Sequence, residues 1–284
     1  MLFFERVLAS LALEKTGDFQ FMGQQVDIGS PNIYGGHVLV QALRAARVCA
    51  DETKKVHSLH GYFLHPGSHA EPVRFTVEPI KKGRSFDVFR VVATQKDRTI
   101  FILSASFHLP EKGIEHQAAM PNVAGPSQLQ PFSKIFADFA EKFGIQARGI
   151  LSSDGPFVFH PLEYYDPFNP GIRSPRQHLW FKPNGTVPDT PSLHAELMAY
   201  ISDFNLLITS LLPHNLSFFT TPLKIASLDH AMWFHEDFQM NDWMLYEVES
   251  PRAAGGRAFC TGRIFSSSGI LLASVTQEGL VRKM

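Results

Sequence analysis

The chain has 284 residues, of which 44% are hydrophobic, 12% aromatic and 19% charged, a balance that excludes disorder and supplies enough apolar material for roughly two domains. Lys and Arg number 26 against 27 Asp and Glu, so no overall field gathers a polyphosphate, and nucleic acid is excluded as a default partner. Two cysteines, Cys49 and Cys260, are too few for a disulfide framework and are expected as reduced thiols.

In chain order, the opening stretch MLFFERVLASLALEK holds an acid and a base within its apolar run, and the longest apolar runs, such as 204-FNLLITSLL-212, reach about half a membrane span. Neither a signal peptide nor a transmembrane helix is expected. Gly35-Gly36 opens a segment in which Leu39, Leu43 and Ala46 recur at helical spacing, predicting a helix to about Ala50. Strands are predicted over 57–65, 72–80, 85–95 and 99–108 from β-branched and aromatic enrichment, with Lys81-Lys82-Gly83 as a turn. Residues 109–190 hold many of the prolines and one short amphipathic helix near 132–143, with Phe132, Phe136, Phe139 and Phe143 on one face and Gly144 after it. Pro191 suits a first helical turn, and Leu193, Leu197, Tyr200, Phe204, Leu207 and Leu211 form an apolar stripe predicting one helix that runs on to Pro213. Strands over 225–235, 242–250, 256–265 and 270–281 follow, with Gly255-Gly256 between two of them. The C-terminal Arg282-Lys283-Met284 has a base where a peroxisomal tail needs a small residue, which makes the cytoplasm the expected address.

The two halves repeat one plan. At an offset of 170 residues 59-LHGYFLH-65 falls over 229-DHAMWFH-235, matching His60 to His230, and 100-IFILSASF-107 falls over 270-ILLASVTQ-277, matching Ser104 to Ser274. Such a period marks a duplicated domain. A helix followed by antiparallel strands, occurring twice, predicts an α+β double hotdog whose sheets join edge to edge into one curved sheet, hiding an edge of each half. The expected division is an N-terminal hotdog half at 1–110, a connector at 111–190 and a C-terminal half at 191–284 that carries the catalytic residues.

Several machineries are missing. There is no G-x-S-x-G elbow, no Walker A loop and no G-x-G-x-x-G after a strand, so no serine-hydrolase elbow and no nucleotide cofactor is expected. His57, His60, His65 and His69 alternate across a strand and do not converge, so no metal is expected. Three polar residues in apolar settings are the candidates. Asp203 sits beside Phe204 within the second helical segment, where a solvated flank is the plain alternative. Gln277 closes the buried run 270–276, where a structural strand-end amide is the alternative. Ser227 opens the strand leading into Asp229-His230, where a turn hydroxyl is the alternative.

The stretches 34-YGGHVLVQAL-43, 57-HSLHGYFLHPG-67, 83-GRSFDVFRVVATQ-95, 202-SDFN-205, 229-DHAMWFH-235, 243-WMLYEVES-250 and 274-SVTQEGLVR-282 together resemble the TesB-type acyl-CoA thioesterases, the type II family with a double hotdog fold. The resemblance spans nearly the whole chain. It implies hydrolysis of medium- to long-chain fatty acyl-CoA, with no cofactor, and it places the family's catalytic trio on Asp203, on Ser227 where many members have Thr, and on Gln277. It also implies ligand contact at His37, where Gln is common, and at His65, where Arg is common and where a neutral imidazole makes a weaker phosphate anchor.

Thioester hydrolysis needs a held and deprotonated water and donors for the oxyanion. Asp203 is the expected general base, Ser227 and Gln277 the groups orienting the water, and backbone N–H groups of the helix that begins near Gly35-Gly36 the expected oxyanion donors, the sequence leaving open which of them is used. A hotdog enoyl-CoA hydratase using Asp229-His230 and a non-catalytic acyl-CoA sensor are the alternatives. Hotdog sheets often continue through subunit contacts, so a homodimer or homotetramer is expected.

Overall fold

The computed structural model describes residues 3–143, 152–164 and 166–284, apart from the side chains of 138–143. After a short helix α1 (Phe3–Ser10) and a hairpin of β1 (Leu13–Gly17) and β2 (Gln20–Gly23), helix α2 runs over Gly35–Cys49. The strands β3 (Lys55–Phe63), β4 (Val73–Lys82), β5 (Phe86–Gln95) and β6 (Arg98–His108) follow. The second half has α4 (Pro191–Ser202), then β9 (Leu223–Ser227), β10 (Asp229–Phe234), β11 (Met244–Ala254), β12 (Arg257–Ser266) and β13 (Leu271–Lys283). Between them lie α3 (Phe132–Phe143), β7 (Phe157–Pro161) and β8 (Arg176–Pro183). The predicted short helix is present, with Phe132 and Phe136 stacked at 6.1 Å. The side chains of Phe139 and Phe143, and Gly144 itself, lie outside the described residues.

All these strands form one antiparallel sheet in the order β1-β2-β4-β5-β6-β3-β10-β13-β12-β11-β8-β7, with β9 paired to β13. The two halves meet where β3 pairs with β10, so the expected edge-to-edge junction is present and each half lends the other a covered edge. The stretch 111–190, read as a connector, adds β7 and β8 to the outer margin of the second half. Strand alternation sets the core: on β5, Asp87, Phe89, Val91, Ala93 and Gln95 turn inward while the intervening residues are more exposed. Helix α2 lies over β4, β5 and β6 and packs against α4. The β11–β12 hairpin turns on Gly255 and Gly256 at φ +60 and +74, the left-handed pair that a tight hairpin requires.

Two expectations change here. The 170-residue offset makes His60 and His230 equivalent positions, which should share a face of the sheet, but Ala231 lies opposite His60 and His230 opposite Gly61. Directly opposed residues share a face, so the two histidines point to opposite sides; His60 is exposed and packs edge-on against Trp233, whereas His230 is fully buried. A one-residue slip exchanges the faces of a strand, and the string match could not sense it. The second change is in the long C-terminal-half helix. It is not continuous: α4 ends at Ser202, Asn205 takes φ +66, and a 3-10 helix then runs over Leu207–His214. The segment Pro191–His214 is apolar and long enough to cross a membrane, yet 72% of its most apolar window is buried in this core.

Candidate active site

The break after Ser202 builds the site. A helix end leaves four carbonyls without intrahelical partners, and in α4 every one is met. Ala199 O accepts from Ser202 Oγ at 2.9 Å, Tyr200 O from Tyr34 Oη at 3.0 Å, Ile201 O from the Phe204 amide at 2.9 Å, and Ser202 O from Tyr246 Oη at 2.7 Å. Burial raises the Tyr34 and Tyr246 phenols well above their ordinary range, with the Asp203 charge adding to the effect, so both stay protonated donors. Asp203 is the cap residue of this end, and its carboxylate leaves α4 for the start of α2, where Oδ2 accepts the Gly36 N–H at 3.0 Å. A carboxylate is disfavoured at a helix C-terminus and favoured at an N-terminus. Asp203 thus caps the first half's helix, which has no side-chain cap of its own.

The other carboxylate oxygen, Oδ1, accepts Gln277 Nε2–H at 2.5 Å. Gln277 lies in the interior of β13 rather than at its end and is wholly buried. Its Nε2 also lies 3.2 Å from His230 Nδ1, and His230 Nε2 lies 2.9 Å from Ser202 Oγ. Ser202 Oγ donates to Ala199 O, so it accepts from His230 Nε2–H, which leaves His230 Nδ1 to accept from Gln277. Burial lowers the His230 pKa to about 4, against the pull of Asp203, and the ring is neutral. Both protons of the Gln277 amide nitrogen are thereby used, and its buried Oε1 has no partner among the described residues. Ser227 ends β9 opposite Gly279, two positions from Gln277 along β13, and so shares its sheet face as a diagonal neighbour. No hydrogen bond links its hydroxyl to Asp203 or Gln277 among the described residues.

The glycines at the start of α2 are there for space. A Cβ on Gly36 would stand 2.1 Å from Tyr200 O, and one on Gly35 would stand 2.6 Å from Asp203 Oδ2 and 3.1 Å from the Phe63 ring. The N–H of Gly36 is spent on Asp203 and that of His37 on Tyr34 O at 2.9 Å, so of the first three N–H groups only that of Gly35 is unpaired among the described residues. His37 turns into the core: it is fully buried beside Tyr200, and burial lowers its pKa to about 4. His65 is exposed on the loop after β3, with Nδ1 2.8 Å from Thr99 O. Neither lines a described cavity. Of the other clustered histidines, His57 bonds Ser106 Oγ and His69 bonds Ser30 O, each in separate surroundings. Asp229 and His230 face opposite ways; Asp229 Oδ1 accepts the Glu278 N–H at 2.6 Å while His230 points inward. His230, Tyr34 and Tyr246 were not foreseen as supports of the trio. The signal for His230 was its in-phase position with the inward Met232.

Two of the cavities bear on the site, one at the α2–α4 pair and one between α3 and the 3-10 helix after Asp203, and neither is lined by a residue of the trio. The larger, about 660 Å³, lies between the C-terminal half of α2 and the start of α4, lined in part by Arg47, Lys54, His194 and Glu196, and holds none of the trio. The smaller, about 300 Å³, is lined by Phe132, Phe136, Phe159, Leu179, Phe204 and Leu211 among others, and its lining includes the two residues that follow Asp203. Phe204 stacks on Phe159 at 4.3 Å, and Asn205 holds the turn through Gln177 Oε1 at 2.5 Å.

Residues 24–108 match the acyl-CoA thioesterase N-terminal domain family and residues 156–280 the acyl-CoA thioesterase family. Acyl-CoA thioesterase 2 of Haemophilus influenzae is 40% identical over 273 residues, which cover 96% of this chain and 95% of that protein. Acyl-coenzyme A thioesterase 8 of Homo sapiens is 35% identical over 285 residues, covering 97% and 88%. The crystal structure of the acyl-CoA thioesterase II TesB2 from Mycobacterium marinum matches with a TM-score of 0.80 at 36% identity over 98% of both chains. A hot dog fold protein of Alicyclobacillus acidocaldarius, at 19% identity and a TM-score of 0.79, shares the fold. With a double hotdog sheet, an acid and an amide joined at its seam, and relatives aligned almost end to end, the chain belongs to the TesB-type acyl-CoA thioesterase II family of thioester hydrolases.

Proposed function

We propose that the chain hydrolyses medium- to long-chain fatty acyl-CoA to free fatty acid and CoA through one water held by Asp203, Ser227 and Gln277. The observation that carries this is the saturated Gln277 nitrogen beside an unpartnered, buried Gln277 Oε1: that oxygen is an acceptor for a water proton next to a carboxylate able to take the other. Asp203 keeps two of roughly four lone-pair sites after its bonds to Gly36 and Gln277. In the step, the water oxygen bonds the thioester carbonyl carbon as its proton passes to Asp203. The tetrahedral oxyanion is met by the Gly35 N–H at the positive end of α2. Collapse breaks the carbon–sulfur bond, and the thiolate, stable enough to depart without a strong acid, recovers the proton from Asp203 or solvent. Ser227 orients the water from the same sheet face.

The acyl chain is assigned to the 300 Å³ apolar cavity because its lining includes Phe204 and Asn205, next in sequence to Asp203, whereas the lining of the larger cavity includes no residue adjacent to the trio. Each methylene buried there is worth about 0.8 kcal/mol. His37, inside the core, is given no ligand contact; His65 is kept as a surface contact for the CoA portion. The chain division 1–110, 111–190 and 191–284 follows this reading, with the last part supplying all three catalytic groups and the first part the helix start that receives the oxyanion.

The test is thiol release from acyl-CoA by Asp203→Asn, which keeps shape and removes the base. Turnover is expected to fall on the order of a hundredfold. A folded variant with near-native turnover overturns the assignment.

A further inference from the structure

We infer that His230 is a positioning residue for this hydrolysis: by accepting from Gln277 Nε2 and donating to Ser202 Oγ, its ring fixes the direction of the Gln277 carbonyl oxygen offered to the water. The inference rests on the role given above to Gln277.

The last torsion of a glutamine is soft, so one hydrogen bond does not define where its amide oxygen points. The bond from Nε2 to Asp203 Oδ1 at 2.5 Å constrains one N–H and leaves the amide free to swing about that contact. The second N–H, held by His230 Nδ1 at 3.2 Å, removes the swing. With both protons of Nε2 placed in the amide plane, Oε1 has one direction left, and it is the unpartnered atom of the group. The polarity of the chain is anchored at a group that cannot reverse. Ala199 O only accepts, so Ser202 Oγ donates to it at 2.9 Å and accepts from His230 Nε2–H at 2.9 Å; the ring is then unprotonated at Nδ1. The ring has no exposed surface, so solvent does not compete for either nitrogen. A protonated ring would turn an N–H toward the Gln277 N–H and expel the amide from its position; burial opposes that state. Among the described residues His230 makes no contact with Asp203 through a hydrogen bond, so its effect on the water passes through Gln277.

The two ring nitrogens can be tested apart. In His230→Asn the side-chain oxygen stands near the former Nδ1 and can accept from Gln277. In His230→Gln the amide nitrogen reaches the former Nε2 position and restores the bond to Ser202 without restoring the acceptor. Measured by thiol release from an acyl-CoA, His230→Gln and His230→Leu are expected to lower kcat about tenfold or more, with KM changed by less than about threefold, and His230→Asn to recover most of that loss. In a Gln277→Ala background the His230 substitutions are expected to change kcat by less than about twofold. Native kcat in His230→Leu, or an equal loss with and without Gln277, overturns the inference. If Gln277→Ala itself keeps native turnover, it is the reading of the trio that fails. Should the variants unfold, the wild-type protein still decides the matter: nitrogen-15 spectra must give a ring protonated at Nε2 alone, and a proton on Nδ1 overturns the inference.

Discussion

Alanine in place of Gly35 adds one methyl group at the point where the two halves touch. In Gly35→Ala the new Cβ stands 2.6 Å from Asp203 Oδ2, inside any tolerated carbon–oxygen contact, and the carboxylate is the only nearby group on a short, movable side chain. A retreat of about 0.5 Å stretches the 3.0 Å bond to the Gly36 N–H to the limit of a hydrogen bond. It also disturbs the 2.5 Å bond from Gln277. A hydrogen bond to a charged group contributes about 1.5–3 kcal/mol, so kcat is expected to drop by about 10- to 100-fold. Stability is expected to fall as well, by no more than about 1–2 kcal/mol, because the weakened Asp203 bonds are offset in part by the better helix propensity of Ala. Thiol release followed alongside thermal melting separates the two effects. Gly35→Ala with kcat within twofold of wild type and an unchanged melt refutes the claim that the placement of Asp203 limits turnover.

Further outcomes follow from the same geometry. Gly36→Ala sets a Cβ 2.1 Å from the Tyr200 carbonyl, a backbone atom that cannot step aside; α2 and α4 must part, and a loss of about 1–3 kcal/mol should appear as an earlier melt. Tyr246→Phe leaves the buried Ser202 carbonyl without its donor, at an expected cost of about 1–3 kcal/mol in urea unfolding. His37 and His230, both lowered to about 4 from 6.5, bind fewer protons folded than unfolded between those values, so the stability they confer is complete above pH 6.5 and is lost as pH falls toward 4. Glu196 acts oppositely: burial raises it from 4.5 to about 7, so stability declines as pH rises through that window, and Glu196→Gln should steepen the rise of stability from pH 4 to 7 in urea titrations. A bulkier side chain in the smaller cavity, as in Leu211→Phe, should shift the chain-length profile of thiol release toward shorter acyl groups; an unmoved profile removes that cavity from the reading.

Much of this architecture was readable because alternation and helical spacing act locally. The predicted bounds of α2 and α3 lie within a residue of those observed, as do the strands predicted over 85–95, 99–108 and 256–265, whereas other strands are displaced by two to four residues and the single strand predicted over 225–235 is two, β9 and β10; of the three site residues that the resemblance implies, Asp203 and Gln277 are hydrogen-bonded to each other. The break at Ser202 was hidden because Phe204, Leu207 and Leu211 continue the stripe of Leu193, Leu197 and Tyr200, and periodicity cannot sense that Tyr34 and Tyr246, distant in sequence, reward the exposure of helix-end carbonyls. Strand β7 is hidden from sequence by its short length and terminal Pro161, which its edge position tolerates, and β8, paired on both sides, by the proline-rich stretch that precedes it. The family position implies a ligand contact at His37, and its phase, two residues before Leu39, points away from the apolar stripe; its burial follows instead from the enclosure of α2 on every side over Gly36–Leu43. The one-residue register step between β9, where Ser227 pairs with Gly279, and β10, where Ala231 pairs with Thr276, is encoded by no local pattern.

The seam between β3 and β10 has a consequence for symmetry. Two separate copies of a one-helix unit would have to repeat at one junction whatever they placed at the other. A single polypeptide is released from that obligation, and the two junctions differ in kind. One presents a carboxylate to a helix start; at the other, Arg44 of α2 pairs with the buried Glu196 of α4 at 3.2 Å. A fused pair can thus set a carboxylate at one of its two junctions without repeating it at the other.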